Sequence, residues 1–111
     1  MSTSGYYAVD LDGTLAEYHG WQGAEHIGPP VPAMLARVKG WLEAGIEVRI
    51  FTARASVPEQ IPPIQVWCRE HLGRELLVTN IKDFACVRIF DDRAIQVEVN
   101  TGRLIGEEGE E

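Results

Sequence analysis

The chain has 111 residues, 45% of them hydrophobic, which is enough for one domain with its own core and no need of disulfides or a structural metal. Its formal net charge of -7 gives no basic footprint of the kind that drives non-specific nucleic-acid binding. Cys68 and Cys86 are too few and too scattered for a metal-ligand or disulfide framework, and both are expected to pack as reduced thiols.

Part of the negative charge is local, because Glu107, Glu108, Glu110 and Glu111 crowd one end. Residues 107–111 are expected to be a disordered acidic tail behind a single domain over 1–106. Met-Ser-Thr-Ser-Gly at the other end lacks the basic region and long apolar run of a signal peptide. No apolar stretch reaches membrane-spanning length, so a cytoplasmic protein without a membrane partner is the expectation.

In chain order, Tyr6 to Val9 reads as a buried strand that ends in Asp10-Leu11-Asp12-Gly13-Thr14. Two carboxylates one residue apart leave the strand end on one side, and Gly13 lets the backbone turn sharply. Two anions held so close repel each other unless a cation lies between them, and a hard divalent metal with oxygen ligands is the natural partner. The plainer alternative is a strand followed by an ordinary Asp-Gly turn.

Leu15 to Pro30 is broken by glycine and proline and has no clear period, so it is a loop or short hairpin. It directly follows the aspartates, where Trp21, His19 and Tyr18 form either a lid with a stacking surface or a pin that holds the loop to the body. His19 and His26 read as surface histidines. Pro32 suits the first turn of a helix whose apolar face carries Met34, Leu35, Val38, Trp41 and Leu42, with Gly45 as its stop.

Ile46 to Phe51 follows as a strand parallel to the first and ends at Thr52-Ala53-Arg54, which brings the Thr52 hydroxyl to the edge that holds Asp10. Val57 to Pro63 reads as a connection before a helix that buries Ile64, Trp67, Cys68 and Leu72 and stops at Gly73. Leu76 to Val78 is a short strand, and Thr79 to Phe84 a loop entering a short helical turn that carries Lys82. Val87 to Phe90 is a strand that delivers Asp91 and Asp92. Ile95 to Val99 and Leu104-Ile105 make a last pair around the turn Asn100-Thr101-Gly102.

Right-handed crossovers on one parallel sheet bring the C-terminal strand ends to one edge. Asp10, Asp12, Thr52, Asp91 and Asp92 then lie within reach of one another, with Lys82 close by. Carboxylates suit a metal; a hydroxyl, an ammonium and backbone N–H groups suit a phosphoryl group. On these four motifs, Asp10-Leu11-Asp12-Gly13-Thr14, Thr52, Lys82 and Asp91-Asp92-Arg93, the chain resembles a haloacid dehalogenase (HAD) superfamily phosphohydrolase over nearly its whole length.

The resemblance implies an α/β fold, a Rossmann-like three-layer sandwich around a mostly parallel sheet. Only a short segment follows Asp12, and nothing of domain size separates Thr52 from Lys82, so the compact branch without a cap domain is implied. It further implies a Mg2+-dependent phosphomonoesterase in which Asp10 is the nucleophile that forms an aspartyl-phosphate, and Asp12 the general acid and later base. Mg2+ would be held by Asp10, the Asp12 carbonyl and Asp91, with Asp92 assisting through water, while Thr52 and Lys82 fix the phosphoryl oxygens.

Arg54, Arg93 and Trp21 flank the implied site as substrate contacts, with surface or structural ion pairs the alternative for the two arginines. A capless site is open, which suits a large or macromolecular substrate or a homodimer that covers it. The Asp91-Asp92-Arg93-Ala94-Ile95 segment also resembles phosphatase domains linked to polynucleotide end repair, which implies a polynucleotide end as substrate, a reading the acidic charge disfavours. Two other classes compete: a binding or regulatory module of the same fold without turnover, and a response-regulator receiver. The receiver has its acidic pair early and its phosphorylated aspartate mid-chain, whereas no aspartate stands between Asp12 and Asp83 here.

Overall fold

The structure, a computed structural model, describes residues 5–106. The acidic stretch 107–111 and residues 1–4 of the N-terminus, on which two of the expectations rest, lie outside them. The described chain runs β1 (Tyr6–Val9), α1 (Pro32–Glu43), β2 (Glu47–Phe51), two 3-10 turns (Ala53–Ser56 and Pro58–Gln60), α2 (Ile61–Leu72), β3 (Val78–Thr79), β4 (Cys86–Phe90), β5 (Gln96–Val97) and β6 (Leu104–Ile105). No helix among the described residues is long and apolar enough to cross a membrane.

Four strands form one parallel sheet in the order β3-β2-β1-β4. Val9, Val48 and Ile50 of the sheet join Val38 of α1 and Ile64, Trp67 and Cys68 of α2 in a single buried cluster. Both helices therefore cover the same face, and they touch each other. This follows from the strand order, since β1 to β2 and β2 to β3 step in one direction and right-handed crossovers then fall on one side. On that face Tyr7, Trp41 and Phe90 pack ring against ring, with centroids 4.6 to 5.6 Å apart. Cys68 is buried as expected, and burial pushes its thiol up to about 11; Cys86 is only half-buried.

The step from β3 to β4 runs the other way, across two strands, and carries the chain over the second face. Residues 80–85 must span roughly 19 Å between anchors, from strand spacing and rise, against a reach of roughly 24 Å for an extended chain. Such a segment has no length to spare for a helix. It forms a strap with a single turn at 84–85, and the expected helical turn is absent. The Tyr6 hydroxyl donates to Asp83 Oδ1 at 3.0 Å, and Arg49 lies over the Tyr6 ring at 3.8 Å. Tyr6 and Ala8 are thus buried on this face without a helix. Of the expected sandwich, the parallel sheet and one helical layer stand; among the described residues the third layer is this strap.

Other boundaries move for local reasons. Pro62 and Pro63 belong to the first turn of α2, where a missing N–H costs nothing, so the helix begins earlier than the proline-rich stretch suggests. Leu76 is core and the third strand is Val78–Thr79. The last pair forms its own two-stranded antiparallel sheet, turned by Asn100 in the left-handed region, φ 67°.

Candidate functional site

Register decides what meets at the C-terminal edge. Val9 lies opposite Ile50 on one side and Phe90 on the other, so Asp10, Thr52 and Asp91 emerge from three adjacent strands. The Asp10 N–H still donates to Phe90 C=O at 2.9 Å. Leu11 then drops into the core, and the N–H groups of Leu15 and Ala16 close the turn on Leu11 C=O at 3.0 and 2.9 Å. Gly13 has φ +91°, and a Cβ there would lie 2.8 Å from Asp92 Oδ2. Only glycine admits Asp92 so close to the turn.

Asp10, Asp91 and Asp92 each offer a carboxylate oxygen, all within 4.8 Å of one another. Burial, a hydrogen bond to Asp92, and the charges of Asp91 and Asp92 push the Asp10 carboxyl from 3.8 up to about 7, partly opposed by the Leu11 N–H. Asp92 moves down instead, chiefly because the Thr14 hydroxyl serves it. Thr14 Oγ1 stands 2.8 Å from Asp92 Oδ1, accepts the Asp92 N–H at 2.9 Å and lies 3.4 Å from Asp10 Oδ2. The crowding of Asp10 by two further carboxylates favours positive charge among them. An all-oxygen set of this kind fits a hard divalent cation such as Mg2+.

Asp12 is kept apart from this cluster. Arg54 Nε and Nη2 donate to its two oxygens at 2.8 and 2.9 Å. The same guanidinium donates to Ala24 C=O at 3.2 Å and His26 C=O at 3.0 Å, and it carries the Trp21 ring at 4.9 Å. Arg54 is 6% exposed and lines the cleft, and it makes the structural ion pair that was the alternative to a substrate contact. The loop it holds is closed at its base, where Glu17 N–H donates to Pro29 C=O and Val31 N–H to Leu15 C=O. Trp67 Nε1 donates to Gly28 C=O at 2.9 Å. Trp21 and Tyr18 remain exposed at the rim.

These groups surround one cleft of about 610 Å³, lined by Asp10, Asp12, Trp21, Thr52, Arg54, Asp91, Asp92 and Arg93 among others. Thr52 is buried and its hydroxyl accepts the Arg54 N–H at 3.1 Å. The Arg93 N–H is tied to Asp91 Oδ1 at 2.8 Å. Lys82 is the exception. It is exposed, does not line the cleft, and sits on the strap between Ile81 and Asp83, whose atoms meet the Tyr6 hydroxyl. Asn80, which lines the cleft, occupies the place where the chain leaves the C-terminal edge.

Thr14 and Asn80 join the site although neither is among the site residues expected from the sequence. For Thr14 the signal was present, a hydroxyl four positions beyond Asp10 in the same tight turn; for Asn80 there was none. Compared with known proteins, the chain matches no family model, no curated protein and no solved structure.

Proposed function

We propose that this cleft hydrolyses a phosphate monoester with Mg2+, in the manner of the HAD phosphohydrolases that the motifs resemble. The observation that carries the reading is the separation of two carboxylates by environment: Asp10 is crowded by Asp91 and Asp92, whereas Asp12 is held by a guanidinium. Two carboxyl groups in unlike surroundings suit two roles. Mg2+, when bound by Asp10, Asp91 and Asp92, supplies the positive charge that frees Asp10 of its proton and neutralises phosphoryl oxygens.

Asp10 attacks phosphorus and the bond to the leaving oxygen breaks, while Asp12, which first takes a proton from solvent, passes it to that oxygen. Asp12 then takes a proton from the water that cleaves the aspartyl-phosphate. For this it exchanges one arm of the Arg54 fork for the leaving oxygen. The Thr52 hydroxyl, Asn80 and Arg93 are the groups at hand for phosphoryl oxygens, and Lys82 joins them only by swinging inward from the strap.

The test is phosphate release from a panel of phosphomonoesters, with Mg2+ and with chelator, beside Asp10→Asn. Chelator-sensitive turnover that is lost in Asp10→Asn is expected. No turnover of any substrate by the wild type, while Mg2+ still raises the melting temperature, would replace this reading with a binding module.

A further inference from the structure

On that reading of the site, we propose that the substrate is a free nucleoside monophosphate, with its base stacked on Trp21. The indole is 55% exposed at the rim of the cleft while one of its faces rests on the Arg54 guanidinium. Tyr18, 41% exposed, lines the same cleft. A large ring held against a cation with its remaining surface in water is a ready stacking platform. Its seat is fixed, because Arg54 bonds the backbone at Ala24 and His26 and Trp67 bonds it at Gly28.

The spacing selects the kind of ring. The Arg54 guanidinium contacts both the Trp21 ring and the Asp12 carboxylate, so one side chain links the platform to the reacting centre. An aryl phosphate has its ring one atom from phosphorus and no spacer to set the ring on a separate platform. A nucleotide has one, because a sugar separates its phosphate from its base. The volume of about 610 Å³ lies within the range of small-molecule sites.

The charge selects the monomer. A polynucleotide needs a basic track for its other phosphates, and among the described residues the cleft has only Arg93 beyond the Arg54 already committed to Asp12.

The experiment compares adenosine 5′-monophosphate, ribose 5-phosphate and p-nitrophenyl phosphate as substrates with Mg2+, in the wild type, Trp21→Ala and Trp21→Phe. A kcat/KM for the nucleotide about fivefold or more above that for ribose 5-phosphate is expected, the low end of what base stacking supplies. Trp21→Ala should lose that ratio through KM and Trp21→Phe should keep most of it. Equal turnover of nucleotide and sugar phosphate, or a ratio untouched by Trp21→Ala, overturns the proposal. Faster release from a 5′-phosphorylated oligonucleotide overturns the choice of monomer.

If nothing is hydrolysed, the hydrolase reading fails, and binding still tests the platform. Adenosine monophosphate should quench indole fluorescence in the wild type and not in Trp21→Phe; no quenching in the wild type removes the platform as well.

Discussion

Arg54 holds both oxygens of Asp12, with Nε on Oδ2 at 2.8 Å and Nη2 on Oδ1 at 2.9 Å. One side chain therefore joins the candidate acid to the loop that overhangs it. The Arg54 side chain is 5% exposed and that of Asp12 21%, so the pair is largely shielded from salt. Arg54→Ala leaves a carboxylate and two carbonyls without their donors and should cost about 3 kcal/mol by urea denaturation, the usual effect of breaking a buried pair. Arg54→Lys keeps the charge but not the fork, and should recover less than half of that. Both variants should open residues 18–26 to limited proteolysis.

The pH dependence of the metal-free protein follows from Asp10, whose carboxyl is raised from 3.8 to about 7. Between those values the folded chain keeps a proton that the unfolded chain has lost. Stability from this group is therefore full below about 3.8 and falls as pH rises, levelling above about 7. Asp10→Asn should flatten the decline and melt about 5 °C higher above neutrality, the shift that ~1 kcal/mol gives a domain of this size.

Mg2+ must displace the same proton, so its effect should have the opposite slope. The rise in melting temperature caused by Mg2+ should be larger above pH about 7 than below it. Asp10→Asn should abolish most of the rise at every pH, as read by thermal denaturation with and without the ion.

Thr14 serves Asp92 twice, through its hydroxyl proton and its lone pair. Thr14→Val keeps the shape and removes both bonds. Mg2+ affinity should fall about tenfold, as is usual when a group that orients a metal ligand is lost, with a stability cost of about 1 kcal/mol. Isothermal titration and urea denaturation separate the two effects.

Gly13→Ala meets two obstacles together, a φ of +91° and a Cβ 2.8 Å from the Asp92 carboxylate. It should cost about 1–2 kcal/mol of stability and should weaken Mg2+ binding as well, because Asp92 must move. Normal Mg2+ affinity with reduced stability would mean that Asp92 lies outside the ligand set.

What the sequence disclosed was local. The apolar run before Asp10, the helical spacing of Leu35, Val38 and Leu42, and the stop at Gly73 each depend on neighbours a few positions away, and β1, α1 and the end of α2 stand where these predict. What it concealed depended on strand order. Lys82 reads as a site residue if a helical turn returns it to the strand ends; once β4 lies beside β1 at the far side from β3, six residues must cross the sheet and Lys82 goes with them. Arg54 shows the same limit. Nothing near it in sequence reveals that Asp12 and two loop carbonyls are its partners, 42, 30 and 28 positions away.

Thr14 and Asp92 touch across 78 positions of the chain, and the cluster they organise has no half that functions alone. β4 pairs with β1 after α1, β2, α2 and β3 have come between them. A chain released from the ribosome before Asp91 has one carboxylate of the three. Metal binding by this cluster would consequently report completed synthesis and closure of the sheet, and a truncated or half-folded copy would offer the ion one ligand of three.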